Sequence, residues 1–258
     1  MSDEQVADWW GTAVSRIEPN RIELRGHPVQ DLIGTTGFGS MIWLMVRGDL
    51  PTAEQTRLLE AALVAGVDHG PHAPSIAIAR MTATCGVGLN NAMASAVNAL
   101  GDSHGGAGQQ CVELLDEIVA TGDPADAVIT RWRERGIRYL PGFGHRFHTV
   151  DPRRDPLLAL VDEAVAAGVV AGDHLRAARG VETALNRGRG KPIPMNIDGA
   201  TAVIYAELGF AAPLARGLFV LSRSVGILAH AWEEMGQGRR NKGPMPPSIR
   251  PAFLDRKP

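Results

Sequence analysis

Long stretches rich in Ala, Leu, Arg and Glu, cut at intervals by Gly and Pro, direct this 258-residue chain toward packed helices. Strand-type alternation is scarce, so the expected class is all-α. Hydrophobic residues make up 45% of the chain, enough to bury a sizeable core as one large domain or two small ones. Residues 1–10 predict a short amphipathic helix carrying Trp9 and Trp10. Residues 17–24 read as extended, and Arg25-Gly26-His27-Pro28 as a turn. From Val29 to Arg47 the pattern is helical in places, broken by Gly34, Gly37 and Gly39. Gly48-Asp49-Leu50-Pro51-Thr52 is a stop and restart. Thr52, with Gln55 at the third helical position, caps a helix from Ala53 to about Val67. A new helix begins over 75–80, and residues 81–100 read as one long helix of small residues. That surface suits either tight internal packing or a helix shared between two subunits. Further helices are expected at 109–120, 124–136, 154–168 and 172–187, after Gly199, and from Gly217 to Trp232.

A net charge of −2 implies neither a nucleic acid nor a membrane surface as partner. Cys85 and Cys111 are too few for a disulfide framework or a zinc site, and read as buried small apolar residues in a reducing compartment. The start, Met1-Ser2-Asp3-Glu4, is acidic without an apolar signal core. No apolar run reaches the ~18 residues of a membrane span. A cytoplasmic location is the expectation.

Five clusters carry chemistry. Pro141-Gly142-Phe143-Gly144-His145-Arg146, followed by Asp151-Pro152-Arg153, is a turn that cannot be a helix interior. A Gly on each side of Phe143 lets the backbone approach a ligand. His145 titrates near neutrality, and the flanking arginines match a carboxylate or phosphate. The same residues would also make a basic surface loop. Asp68-His69-Gly70-Pro71-His72 closes a helix, with no third ligand at metal-site spacing. Gly101-Asp102-Ser103-His104-Gly105-Gly106 leads into a helix whose positive end favours a neutral imidazole. In Ile193-Pro194-Met195-Asn196-Ile197-Asp198-Gly199 a lone carboxylate sits among apolar residues. Burial would raise its pKa and suit it to proton abstraction, or Asp198 would be a helix cap. Arg223, inside an apolar helical run, needs an anion from a side chain or a ligand.

These clusters, in this order, resemble the citrate synthase superfamily. Gly-Phe-Gly-His-Arg with Asp-Pro-Arg is similar to its signature segment, and Gly48-Asp49-Leu50-Pro51-Thr52 to its Gly-x-Leu-Pro-Thr. His104-Gly105-Gly106-Ala107 is similar to the His-Gly-Gly-Ala of citrate synthases. Asp68-His69-Gly70-Pro71, Asn196-Ile197-Asp198-Gly199 and the run around Arg223 resemble the lyase module of ATP citrate lyase. Typical citrate synthases also carry N-terminal helices and a C-terminal arm, which free citryl-CoA lyases lack, and the chain resembles the latter.

The resemblance implies an all-α, citrate synthase-like fold. A large domain would comprise 1–108 and 192–258, a small domain 109–191, with the site in their cleft and a homodimer or higher homo-oligomer as the assembly. It implies carbon–carbon chemistry beside a CoA thioester, with His104, His145 and Asp198 catalytic. His69, Arg153 and Arg223 would hold the carboxylates of a four-carbon oxo acid or citrate-type acid. Leu140, Pro141, Gly142, Phe143 and Gly144 would meet CoA, and Arg146 its phosphate. A tail cation, Arg239, Arg240 or Lys242, would reach the partner's site. No metal and no permanently bound cofactor is implied, since CoA enters as substrate. Citryl-CoA cleavage to acetyl-CoA and oxaloacetate is the expected reaction, with citrate or methylcitrate synthesis as the alternative. A non-catalytic CoA-binding subunit is the reading from another class, and the presence of Asp198 and His145 argues against it.

Overall fold

Ser2 and Gln5 close a reciprocal cap over α1 (Asp3–Trp9), the first element of a computed structural model that describes residues 1–145, 149–246 and 248–254. α1 buries none of its residues, and Trp9 and Trp10 stay exposed. The stretch read as extended is in fact part of a small antiparallel sheet, β1 (Ser15–Glu18), β2 (Arg21–Leu24) and β3 (His27–Pro28), in that order. The chain reverses at Pro19-Asn20, where Asn20 takes φ 63°, and again at Arg25-Gly26. His27 and Pro28, expected in a turn, therefore pair with Leu24 and Glu23.

α2 (Val29–Leu32) is a single turn, and α3 (Phe38–Arg47) follows. Gly39 does not break the helix as expected but lies inside α3. It is buried where a side chain would overlap Glu60, 2.5 Å from its Cγ. Gly48 ends α3 in the left-handed conformation, and Thr52 with Gln55 caps α4 (Ala53–Gly66). The single helix expected over 81–100 is instead two, α5 (Pro74–Ala83) and α6 (Leu89–Asn98). Gly86, at φ 81°, turns the chain between them. The carbonyl and hydroxyl of Thr84 there accept the backbone N–H groups of Asn241 and Lys242.

The remaining helices are α7 (Ala107–Thr121), α8 (Ala125–Glu134), α9 (Arg154–Ala166), α10 (Asp173–Asn186), α11 (Ile197–Glu207) and α12 (Ala212–Gly236). α11 is apolar all round, and so lies at the centre, packed against α4, α7, α9 and α10. The main core runs without a break from Trp43 to Leu218 and draws on α3, α4 and α7 to α12. A smaller core of Ile76, Ile227 and alanines joins α5, α6 and α12.

At 25 residues α12 is the one helix among those described that is long and apolar enough, by length and composition, to cross a membrane. The sequence reading anticipated no such run. In the fold it is a core helix, packed on α4, α5, α6 and α7 and carrying the buried Arg223. Its outer face still exposes Leu214, Leu221, Val225, Leu228, Trp232 and Met235 at alternating spacings of seven, four and three.

Gly226 lets α12 meet the chain just after α4, its N–H donating to the Val67 carbonyl at 3.1 Å. A Cβ there would stand 2.2 Å from that oxygen. Gly226→Ala should lower the unfolding free energy by about 1–3 kcal/mol. Gly217→Ala, in the same helix with open space around it, should raise it by up to about 1 kcal/mol. Urea titrations of the two variants check the contrast.

Candidate active site

Two distant segments are stitched together at the backbone. Gly144 N–H donates to the Pro194 carbonyl at 2.7 Å, and Asn196 N–H to the Gly142 carbonyl at 3.0 Å. The Asn196 amide adds a bond to the Gly144 carbonyl at 2.8 Å. Behind this bridge Gly142 and Gly199 touch: a Cβ on Gly199 would lie 2.4 Å from the Gly142 oxygen. His145 thus leaves one strand of the bridge as Asp198 leaves the other.

Asn196, not Asp198, caps α11, its Oδ1 accepting from the N–H groups of Asp198 and Gly199 at 3.0 and 3.2 Å. The Asp198 carboxyl is left over from capping and lines a cavity of about 240 Å³. Burial pushes it above the usual carboxylate range, against the pull of Arg223 and Arg153, and the Asp151 charge adds to the rise.

His69, His104, His145 and Arg223 line the same cavity, with Gly105, Gly144, Asn196, Ile197 and Phe219. The rings of His69 and His145 meet edge to face, centroids 5.9 Å apart. Burial, then the charges of Arg153, Arg223 and His145, hold the His69 imidazole below its ordinary pKa, with Asp151 opposing. The turn before His69 is set by Asp68, whose Oδ2 accepts from Gly70 N–H and pairs with His230 Nε2 at 3.2 Å. His72 is exposed and outside the cavity.

His104 is also held below its ordinary pKa, by burial and then by Arg223. The helix end its ring touches is that of α5, not of the α7 that follows it. Ser75 N–H, in the first turn of α5, donates to His104 Nε2 at 3.1 Å, with the Ser75 hydroxyl 3.0 Å away. Nε2 is therefore the acceptor, and Nδ1 carries the proton of the neutral ring.

Arg223 is 4% exposed. Its Nε donates to the Gly66 carbonyl at 3.1 Å and its guanidinium lies over the Phe219 ring at 4.8 Å. Among the described residues no carboxylate stands within ion-pair distance of it; Asp198 and Asp68 act on it from farther off. A buried cation facing a cavity in this way is suited to an anionic ligand.

Arg153 is held differently from the sequence expectation. Its Nε and one terminal nitrogen pair with both oxygens of Asp151, each at 2.9 Å, and its other terminal nitrogen lies 3.5 Å from the Ala65 carbonyl. It does not line the cavity, but its charge reaches His69, Asp198 and Arg223.

A second cavity, of about 940 Å³, shares Gly144 and His145 with the first. Leu140, Phe143 and Gly144 line it, while Pro141 and Gly142 do not. Gly142 gives close approach to Cys111 and Gly199 of its own chain rather than to a ligand. Arg133, Arg138 and Arg189 supply three cations to its wall. Arg133 and Arg138 were missed by sequence reasoning, although four arginines within 131–138 signal a basic edge. Arg146 lies outside the described residues. Of the tail cations, Lys242 turns back to Glu234 at 3.0 Å and Arg239 stands 3.9 Å from the same residue.

Residues 52–252 match the family model described as "Citrate synthase, C-terminal domain". The chain is 30% identical over 215 residues to the citrate synthase of Deinococcus radiodurans, covering 81% of this chain and 56% of that one. It spans about half the length of the curated citrate synthases it matches. Among solved structures it is similar to the citryl-CoA lyase of Hydrogenobacter thermophilus, at TM-score 0.84 and 31% identity over 96% of both chains. The ATP citrate lyase of Methanothrix soehngenii, solved with citrate and coenzyme A, shares the fold at TM-score 0.83 and 20% identity, covering 99% of this chain and 45% of that one.

Arg223→Met removes a buried charge while keeping most of the volume. It should raise the unfolding free energy of the ligand-free protein by about 1 kcal/mol and weaken binding of a small dicarboxylate probe in the cavity at least ~10-fold. Denaturant titration and calorimetry read the two effects separately.

Proposed function

The chain belongs to the citrate synthase family and is an enzyme of that kind, and from this premise we propose that it cleaves citryl-CoA to acetyl-CoA and oxaloacetate. The observation that carries the reading is an Asp198 carboxyl that burial pushes above the usual carboxylate range, in one cavity with a His104 held below its ordinary pKa by burial and with the buried Arg223. The likeness to a citryl-CoA lyase over 96% of both chains supports the lyase direction.

In this mechanism Arg223 and His69 hold the carboxylates of the citryl group, and Arg153, bound to Asp151 outside the cavity, adds its charge from farther off. His145 removes the proton of the tertiary hydroxyl. The oxygen electrons form the ketone of oxaloacetate as the carbon–carbon bond breaks. The bonding pair moves onto the thioester, and the resulting enolate oxygen is stabilised by a hydrogen bond from the His104 Nδ1–H. Asp198 then protonates the terminal carbon to give acetyl-CoA. The cavity lined by Leu140, Phe143 and Gly144 takes the CoA moiety, with Arg133, Arg138 and Arg189 toward its phosphates. Residues 109–191 act as a small domain over a large one of 1–108 and 192–258, closing to exclude water. The outer apolar face of α12 meets its counterpart in a second copy, making a homodimer.

Citrate synthesis is the second reading, favoured by the 30% identity to citrate synthases and by the His104-Gly105-Gly106 segment. The two differ in whether water attacks the thioester. Purified protein given citryl-CoA should release oxaloacetate, followed by a coupled dehydrogenase, faster than citrate, followed by chromatography. Citrate as the main product would overturn the lyase assignment.

The raised pKa of Asp198 sets a sign. Cleavage needs it protonated, so that rate should fall as pH rises through the raised value. Condensation needs it ionised and should rise over the same interval. Asp198→Asn should remove this limb and lower turnover by at least ~10²-fold in both directions. Initial rates of both reactions across pH check it.

A further inference from the structure

Asp151 belongs to the Asp-Pro-Arg motif, yet the mechanism gives it no role. Its side chain is 0% exposed. Such a carboxylate persists only if its lone pairs are met. Here all four bonds come from two segments. Oδ1 accepts from the Arg153 backbone N–H at 3.0 Å and from Arg153 Nε at 2.9 Å. Oδ2 accepts from an Arg153 terminal nitrogen at 2.9 Å and from Ile197 N–H at 3.1 Å. The bond to Arg153 N–H is a local turn that launches α9, and any Asp or Asn there would make it. The bond to Ile197 is of another kind, because it reaches 46 positions along the chain to the residue before Asp198.

We propose that Asp151 is a positioning residue, which locks the Arg153 fork to the first turn of α11 and so fixes the spacing between the Arg153 charge and Asp198. This rests on the acid/base role assigned to Asp198. One carboxylate grips both partners, so neither can shift without the other. A displacement of even ~1 Å at a reacting group lowers rates by about 10²-fold.

The charges around Asp198 give this lock a second effect. Arg223 from α12 and Arg153 from the start of α9 favour its ionised form, while Asp151 opposes them. His69, His104 and His145 line the same cavity. Cys111 of α7 and Tyr205 of α11 also feel Asp198, and burial pushes both upward, so they are neutral. Burial raises the pKa of Asp151 itself, but the bonds from Arg153 and Ile197 outweigh this and hold it below the usual carboxylate range. Asp151 therefore stays charged, offsets Arg153 and helps keep Asp198 protonated.

Two variants separate position from charge. Asp151→Asn keeps the shape and removes the charge; Asp151→Glu keeps the charge and moves the oxygens. Carbon-13 NMR of the Asp198 carboxyl reads its pKa without any turnover, and citryl-CoA cleavage across pH reads the rate. In Asp151→Asn the Asp198 pKa and the high-pH limb of cleavage should both move down by about one unit. In Asp151→Glu the pKa should stay near wild type while turnover falls at least ~10-fold and the KM for citryl-CoA changes far less. If Asp151→Asn does not fold, the Glu variant alone decides through its split between kcat and KM. An Asp198 pKa unmoved in Asp151→Asn, or full turnover in Asp151→Glu, reduces Asp151 to a turn residue and overturns the proposal. A wild type inactive on citryl-CoA would defeat the function proposed above, and the NMR titration would still decide whether Asp151 governs Asp198.

Discussion

The backbone bridge between residues 142–144 and 194–196 is the constraint on which the site depends. It delivers His145 and Asp198 from segments about fifty residues apart, and it closes only because Gly142 and Gly199 have no side chains to separate them. Around it neighbouring elements contribute further ties. Asn186 of α10 exchanges two hydrogen bonds with Ile193, Glu182 of α10 accepts from Met195 N–H, and Asp151 accepts from Ile197 N–H. The segment leading to Asp198 is irregular backbone held at nearly every residue, which is how a loop acquires the precision of a helix.

The electrostatics follow from that placement. Burial drives Asp198 toward its neutral form, and the nearby arginines pull the other way. The same burial, with Arg223, keeps His104 and His69 below their ordinary pKa. The cavity therefore holds a carboxyl disposed to carry a proton and imidazoles disposed to lack one. That division suits proton transfer to and from a carbon acid. Arg223, held by Gly66 and stacked on Phe219, adds a fixed positive charge that no described carboxylate neutralises within bonding distance.

Much of this was legible in the chain because it is local chemistry. The cap at Thr52 and Gln55, the left-handed stop at Gly48 and the four helices between 107 and 186 lie close to where composition and capping rules put them. The misreadings were contextual. Gly39 looked like a breaker but serves contact with Glu60, and residues 81–100 looked like one helix although Gly86 divides them. Asp198 reads from the sequence as a base or as a helix cap, and in the fold Asn196 occupies the cap. Arg133 and Arg138 carried no motif and were overlooked.

By itself, the sequence determined the helical class, the family and the residue types able to bind carboxylates and move protons, since periodicity, caps and short motifs are properties of neighbours along the chain. Tertiary structure alone decided which partner each group meets. It is Asp151 that takes one edge of Arg153, and Ser75 of α5, rather than α7, that sets the tautomer of His104. Arg223, expected to need an anion from a side chain or a ligand, has no carboxylate within ion-pair distance among the described residues and faces the cavity. These outcomes depend on burial and on contacts between residues far apart in sequence, and the strength of a charge or a hydrogen bond is not defined until its surroundings exclude water.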